Sequence, residues 1–288
     1  MIIVDYSGIA VASIFSQDRP EEIEEGLIRH MILNSIRRYN VQFREEYGEM
    51  ILACDSSSWR KVRFPQYKAA RKKTRDQSPL DWSKFFNLIG MVRDELQESF
   101  PYRVLQANGA EADDVIGELV KKTQEFGQNE PVLIVSSDKD FFQLHRFSNV
   151  KQFSPMKRDF ITVEDPHYYL FEHICKGDSG DGVPNMLSPD DTFVENKRQR
   201  PLRAKKIEEM YEAFNRGMLE NEISKEEYRN FYRNKQLIEL EHTPPEIRDD
   251  IHALYNSEAN KNNAKVFGYL VEKRCNMLIE SVQDFYTN

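Results

Sequence analysis

Cysteine is scarce: Cys54, Cys175 and Cys275 are the only three in 288 residues, far apart and odd in number. That excludes a disulfide framework and a cysteine zinc site, and it fits a reducing compartment. No apolar run approaches the ~20 residues of a membrane span, so no membrane association is expected. The N-terminus, MIIVDYSG, lacks the basic and apolar regions of a signal peptide and runs straight into a strand, so a cytoplasmic protein is expected. The six histidines are scattered and show neither triad nor ligand spacing. His145 follows Asp140 closely, yet a structural role is expected for it. Internal repeats and low-complexity segments are missing. So is an excess of positive charge: 40 Lys and Arg face 48 Asp and Glu, for a net charge of -8. This argues against a simple basic nucleic-acid binder.

Hydrophobic content of 40% and charged content of 31%, with mean hydropathy -0.68, fit a soluble chain of one large or two modest domains with a substantial core. The charge is unevenly spread. Residues 59–75 read WRKVRFPQYKAARKKTR, with eight cations (Arg60, Lys61, Arg63, Lys68, Arg71, Lys72, Lys73, Arg75) and no acid. Residues 196–206 read NKRQRPLRAKK, with six cations (Lys197, Arg198, Arg200, Arg203, Lys205, Lys206) and again no acid. A charge run is commonly a solvated face. Two acid-free runs with interleaved aromatics and proline, in an acidic chain, read instead as footprints for an anionic polymer.

Short apolar runs alternate with amphipathic ones. Strands are predicted at Ile2–Val4, Met50–Cys54, Arg103–Leu105 and Val132–Val135, with a weaker pair near Lys151–Phe153 and Phe160–Val163. Helices are predicted from about Glu21 to Tyr47, over Asp81–Ser99 and over Glu111–Phe126, with another starting near Phe141. This order predicts an α/β fold with a mostly parallel central sheet and helices on both faces. After about Gly177 the strand signal disappears, and an all-helical region is predicted. The expected division is a core over 1–180 and a helical region over 181–288.

The strands end alike. IIVD ends at Asp5, ILACD at Asp55, the third run leads into Glu111, Asp113 and Asp114, and VLIVSSDKD ends at Asp138 and Asp140. One such acid reads as a helix cap. Four parallel strands would bring seven carboxylates to the ligand-binding edge of the sheet. Crowded carboxylates repel unless cations compensate. Hard oxygen donors without a histidine or cysteine set point to Mg²⁺ or Mn²⁺.

These segments, with FPQYKAARKK, EADDVIGELV and KGDSGDGVPN in the same order over residues 1–185, resemble the phage 5′-nucleases of the flap endonuclease superfamily, in particular the ribonuclease H group of T-even-type phages. The resemblance implies Mg²⁺-dependent hydrolysis of phosphodiesters at 5′ ends of RNA or DNA on duplexes, flaps or forks, including RNA primers in replication. It implies two ions, with Mn²⁺ able to substitute. Asp5, Asp55, Glu111, Asp113 and Asp138 would surround the first; Asp114, Asp140, Asp178 and Asp181 would hold the second, directly or through water. Asp113 and Asp138 would be catalytic, with Lys68 and Arg71 meeting phosphate from a basic helical arch over about 56–80. Tyr67 would stack on bases beside Arg60, Arg63 and Lys72.

In the family, GDSGDGVPN leads to a helix–turn–helix-type element that grips a duplex, usually through a Gly-x-Gly-x-Lys-Thr-Ala pattern. That pattern is missing here, which puts the duplex footprint and any monovalent-ion site in doubt; a helix after Pro201 would bring Arg203, Lys205 and Lys206 to phosphate. The C-terminal SVQDFYTN is a candidate dock for a replication protein, such as a single-strand DNA-binding protein or a sliding clamp. A monomer is expected, in the host cytoplasm if the chain is phage-encoded. Three other readings stand beside this one: a PIN-type single-strand ribonuclease, a doubly wound phosphatase, and a non-catalytic DNA-binding scaffold. The first would lack the arch, the second needs no polycationic runs, and the third should have lost carboxylates.

Overall fold

Central strands buried on both faces need near-continuous apolar runs, which IIV, MILA and VLIV supply, while RVL, VKQFS and DFI bring polar residues to the outer strands. In a computed structural model, which describes residues 1–15, 24–127, 129–259 and 261–287 without the side chains of 72–74 and 126, they form one six-stranded sheet. β1 (Ile2–Asp5), β2 (Met50–Ala53), β3 (Arg103–Leu105), β4 (Val132–Val135) and β5 (Val150–Ser154) run parallel in the order β3-β2-β1-β4-β5. β6 (Asp159–Ile161) adds an antiparallel edge beside β5. The predicted α/β architecture is the one found.

Alternate strand residues serve opposite faces. Ile2, Val4, Leu52 and Leu133 meet α2 (Glu25–Tyr47) and α5 (Trp82–Ser99), while Ile3, Ile51 and Ile134 meet α6 (Ala112–Lys122). The short α1 (Tyr6–Phe15) precedes α2; α3 (Arg60–Arg63) and α4 (Ala70–Asp76) lie within the basic run. The start of the helix expected near Glu21 falls among residues outside the described ones. Helix starts follow local chemistry. Asp81 accepts the Lys84 amide at 2.9 Å to open α5, and Asp165 accepts the Tyr168 amide at 2.9 Å, with Pro166 first in α7 (Pro166–Lys176). Two helical expectations shorten: α6 ends at Lys122, and the segment after β4 is a tight 3-10 helix, Asp140–Arg146.

Beyond residue 180 the described elements are helical: α8 (Ala204–Asn215), α9 (Leu219–Glu222), α10 (Lys225–Ile238), α11 (Pro245–Ser257), α12 (Val266–Glu272) and α13 (Asn276–Ile279). Leu170 and Ile174 of α7, Ile207 and Met210 of α8, and Phe231 of α10 bury Phe64 and Tyr67 from the basic run in a third core. The remaining chain returns to the sheet. Ile247 and Ile251 of α11 join the α6 side, and Tyr269, Leu270, Leu278 and Phe285 join the α2 side. Among the described residues no helix is long and apolar enough to cross a membrane.

The tail proposed as a protein dock is part of this packing. Phe285 is fully buried against Phe100, its carbonyl accepts from the Tyr102 hydroxyl at 2.8 Å, and Asn40 Nδ2 donates to the carbonyls of Asp284 (2.8 Å) and Tyr286 (3.1 Å). The Phe285 ring is spent on the core, and Tyr286 packs half-buried against it. Phe285→Ala is accordingly expected to cost about 3–5 kcal/mol, read as a lowered urea midpoint. A loss below about 1 kcal/mol would show that the tail is not an integral part of the fold.

Candidate metal centre and nucleic-acid interface

Parallel strands deliver Asp5, Asp55, Asp138 and Asp140 to one edge of the sheet, the start of α6 adds Glu111, Asp113 and Asp114, and the loop after α7 adds Asp178 and Asp181. The structure sorts these acids into two sets, according to whether a protein cation answers them.

The answered set lies under the basic run. Asp114 is fully buried and binds Arg60 through both oxygens, at 2.9 and 3.0 Å; it also accepts from Trp59 Nε1 and the Thr243 hydroxyl at 3.2 Å, and from the Glu111 amide at 2.9 Å. Glu111 accepts from Ser58 (2.8 Å), Arg60 Nη1 (3.0 Å) and the Tyr67 hydroxyl (2.9 Å), and pairs with Lys68 Nζ. Burial pushes the Glu111 carboxyl up, but Lys68 and Arg60 outweigh it and hold it at about 2. Asp181 shares that one Tyr67 hydroxyl proton, at 2.6 Å, and pairs with Arg71, with Lys68 Nζ at 3.5 Å.

Three sequence-based expectations change here. Asp114, assigned to the second metal, has both oxygens committed to Arg60 and the α6 cap, with no access from solvent. Arg60, assigned to nucleic acid, is 2% exposed and also donates Nε to the Leu237 carbonyl at 2.7 Å. Tyr67, assigned to base stacking, is 4% exposed, so neither face of its ring is open to a base in this conformation.

Among the described residues the second set has no Arg or Lys ion pair. Asp5 accepts from the Gly8 amide (2.8 Å) and Ser136 Oγ (3.0 Å), and Asp55 accepts from the Ala112 amide (2.9 Å). A Cβ at position 8 would stand 2.5 Å from Asp5 Oδ2, so a larger residue there would have to displace the Asp5 carboxylate. Asp138 takes the Asp140 amide at 3.0 Å. Burial, with the charges of Asp55 and Asp138 adding to it, raises Asp5 to about 6. Burial and the Asp138 charge raise Asp140 to about 7, and burial with Asp138 and Asp140 holds Asp113 well above the usual carboxylate range.

His173, which the sequence did not single out, stands between Asp140 Oδ1 (3.6 Å from Nδ1) and Asp178 Oδ2 (3.5 Å from Nε2). Burial favours the neutral ring, yet Asp178 and Asp140 raise its pKa, and His173 in turn holds Asp178 low. Its pairing with Asp140 is hidden in the sequence by a separation of 33 residues. The site fits a divalent cation: hard oxygen donors gathered in a recess, several of them raised toward protonation by burial and by one another's charge.

The loop GDSGDGVPN, which alone reads as a turn, docks under the basic run. Gly177 (φ +66°) turns the chain after α7 where a Cβ would meet the Val183 carbonyl at 2.4 Å. The Lys68 amide donates to the Asp181 carbonyl at 2.7 Å, and Arg71 Nε to the Gly180 carbonyl at 3.2 Å. Arg63 is exposed, its Nη1 3.3 Å from Gln236 Oε1; the side chain of Lys72 lies outside the described residues. Arg203 immediately precedes α8 and Lys205 opens its first turn, both exposed, whereas Lys206 is paired with Glu227 at 2.6 Å. His145 hydrogen-bonds Gln152 at 3.0 Å, a structural contact.

Residues 1–168 match the family model described as 5′-3′ exonuclease, N-terminal resolvase-like domain, and residues 166–285 match the one described as T4 RNase H, C terminal. The chain is 32% identical over 294 residues to the ribonuclease H of Enterobacteria phage T4, covering 98% of this chain and 95% of that protein. It is 34% identical over 139 residues to flap endonuclease Xni of Shewanella sp. (strain MR-4), covering 46% of this chain and 49% of that protein. A solved T5 5′-exonuclease with bound zinc shares the fold, with a TM-score of 0.60 at 16% identity over 90% of this chain and 99% of that one.

The raised carboxyls set a pH dependence. Their folded pKa values lie above the ordinary 3.8, so the folded chain holds protons that the unfolded chain releases, and stability is lost as pH rises from about 4 through about 6 for Asp5 and about 7 for Asp140. Without divalent ions the melting temperature is expected to fall between pH 5 and pH 8. Added Mg²⁺ or Mn²⁺ should restore more of it at pH 8 than at pH 5. Thermal melts at both pH values, with chelator or metal, check this; equal metal effects at the two would contradict it.

Proposed function

The chain belongs to the 5′-3′ exonuclease and ribonuclease H family of nucleases, and within that family we propose a Mg²⁺-dependent 5′→3′ exonuclease and flap endonuclease with ribonuclease H activity, one that removes RNA primers during replication. The observation that carries this reading is the recess of Asp5, Asp113, Asp138 and Asp140, short of positive charge, beside cations of the basic run. Two divalent ions bound there would activate a water and neutralise charge on the scissile phosphate and the leaving oxygen. Asp5, Asp55, Asp113, Asp138, Asp140 and Asp178 are the residues to hold them. Glu111 and Asp181 position Lys68 and Arg71, so a phosphate entering at the rim of the recess shares their positive charge. The core over 1–180 would do this chemistry, and the helical region over 181–288 would hold the duplex. A scaffold without activity is the weaker reading, because every carboxylate of the set is present.

The test is cleavage of a 5′-labelled flap and of an RNA–DNA hybrid, in Mg²⁺ and in chelator. Both substrates should be cut from the 5′ side in Mg²⁺ only. Asp113→Asn and Asp138→Asn should lose cleavage by orders of magnitude while flap binding persists, since each removes one charge at nearly constant shape. Near-normal cleavage by either variant refutes the assignment.

The exposed cations before and within α8 make a separate expectation. Removing one cation that neutralises a duplex phosphate flattens the slope of log affinity against log salt by about 0.9. Replacing Arg203, Lys205 and Lys206 with Gln should flatten it by about two units rather than three, because Lys206 already serves Glu227. An unchanged slope would place the duplex elsewhere.

A further inference from the structure

One donor facing the recess is not an oxygen. His173 lies in the last turn of α7, where the Gly177 amide caps its carbonyl at 2.8 Å and the Tyr169 ring stands 5.9 Å away, edge-on. Its two ring nitrogens face Asp140 and Asp178 at 3.6 and 3.5 Å, and one donor atom from each of the three residues can be chosen so that all lie within 4.8 Å of one another. Both approaches are longer than an ordinary hydrogen bond of ~2.7–3.2 Å. A metal ion selects the neutral imidazole over the protonated one, and the neutral ring has one N–H and one lone pair. With the N–H turned to one carboxylate, the lone pair faces the other, and two electron-rich atoms confront each other across a gap that one ion can fill, since two bonds of ~2.1 Å reach up to ~4.2 Å.

We propose that His173 is a nitrogen ligand of the divalent-ion site built from Asp140 and Asp178, making that site a mixed nitrogen–oxygen centre that favours Mn²⁺ and later first-row ions over Mg²⁺. The proposal rests on the reading that the acidic edge binds divalent ions. Imidazole adds little for Mg²⁺, which is suited by carboxylate and water, but it strengthens binding of first-row transition ions. The nitrogen left unbound keeps its N–H aimed at the remaining carboxylate, the arrangement that fixes ring orientation and tautomer in histidine metal sites.

Mn²⁺ added to the full-length, metal-free protein in the absence of nucleic acid tests this. Pulsed electron paramagnetic resonance reads coupling of Mn²⁺ to ¹⁴N, and competition with Mg²⁺ gives the selectivity. The protein as it stands should show ¹⁴N coupling, and both His173→Gln and His173→Lys should lose it, with the Mn²⁺ preference over Mg²⁺ falling about tenfold in each. Bound Mn²⁺ without ¹⁴N coupling, or coupling that survives in His173→Gln, overturns the ligand assignment while leaving the metal reading intact. Undiminished selectivity in His173→Lys overturns it too, and makes the ring a counter-cation. Failure of Mn²⁺ to bind at all overturns both.

Discussion

Nine carboxylates on and around one sheet edge are a burden that the fold must balance, and the way it does so governs the rest of the molecule. Two like charges 4 Å apart repel by about 4 kcal/mol at the effective dielectric of a protein surface. Arg60, Lys68 and Arg71 answer Glu111, Asp114 and Asp181. The basic run that the sequence presents as a footprint for an anionic polymer is therefore, at its root, a set of counter-ions for the protein's own acids. What has no Arg or Lys ion pair among the described residues is the inner group of Asp5, Asp113 and Asp140, and burial with the charge of neighbouring carboxylates drives these carboxyls toward protonation. Binding capacity for cations is the part of the charge that the chain does not cancel itself.

Arg60 shows what that balance costs and what it secures. Burying an ion pair this deeply adds little stability by itself, because desolvation offsets the attraction. Its effect is on geometry. One guanidinium joins the basic run to the start of α6 through Asp114 and Glu111, and to the end of α10 through the Leu237 carbonyl; Thr243, next to α11, closes on the same Asp114. The helical region is thereby keyed to the acidic edge by polar contacts that only one arrangement satisfies. The third core, with Phe64 and Tyr67 under α7 and α10, supplies the apolar burial around that key.

The strands β1, β2 and β4 were legible because they are apolar almost throughout, and the acids at the sheet edge were legible because Asp5, Asp55 and Asp138 closely follow those runs. Charge partnership was not. Arg60 and Arg63 are three residues apart on the same short helix; one is buried and the other exposed, and nothing local in WRKVRF distinguishes them. The same holds for the acids of EADD: Asp113 faces the recess while Asp114 turns inward to cap α6 and take Arg60. His173 escaped because its partner Asp140 arrives from a distant segment, and the packing of Phe285 because two adjacent aromatics near a terminus carry no period. Long-range pairing, rather than propensity, is what single-sequence patterns omit.

Lys68 brings these threads together. It adopts φ of +57°, a left-handed conformation rare in side chains other than glycine and asparagine, costing about 1–2 kcal/mol. Its amide is held by the Asp181 carbonyl, and the reversal there turns its ammonium back onto Glu111 and toward Asp181. Glycine would take that backbone without strain but would leave both carboxylates short of a cation at the mouth of the recess. Strained backbone at a functional site persists only when its surroundings over-determine it. Here they do, through one backbone hydrogen bond and two carboxylates, so the sequence has kept a charged side chain where the backbone alone would prefer none.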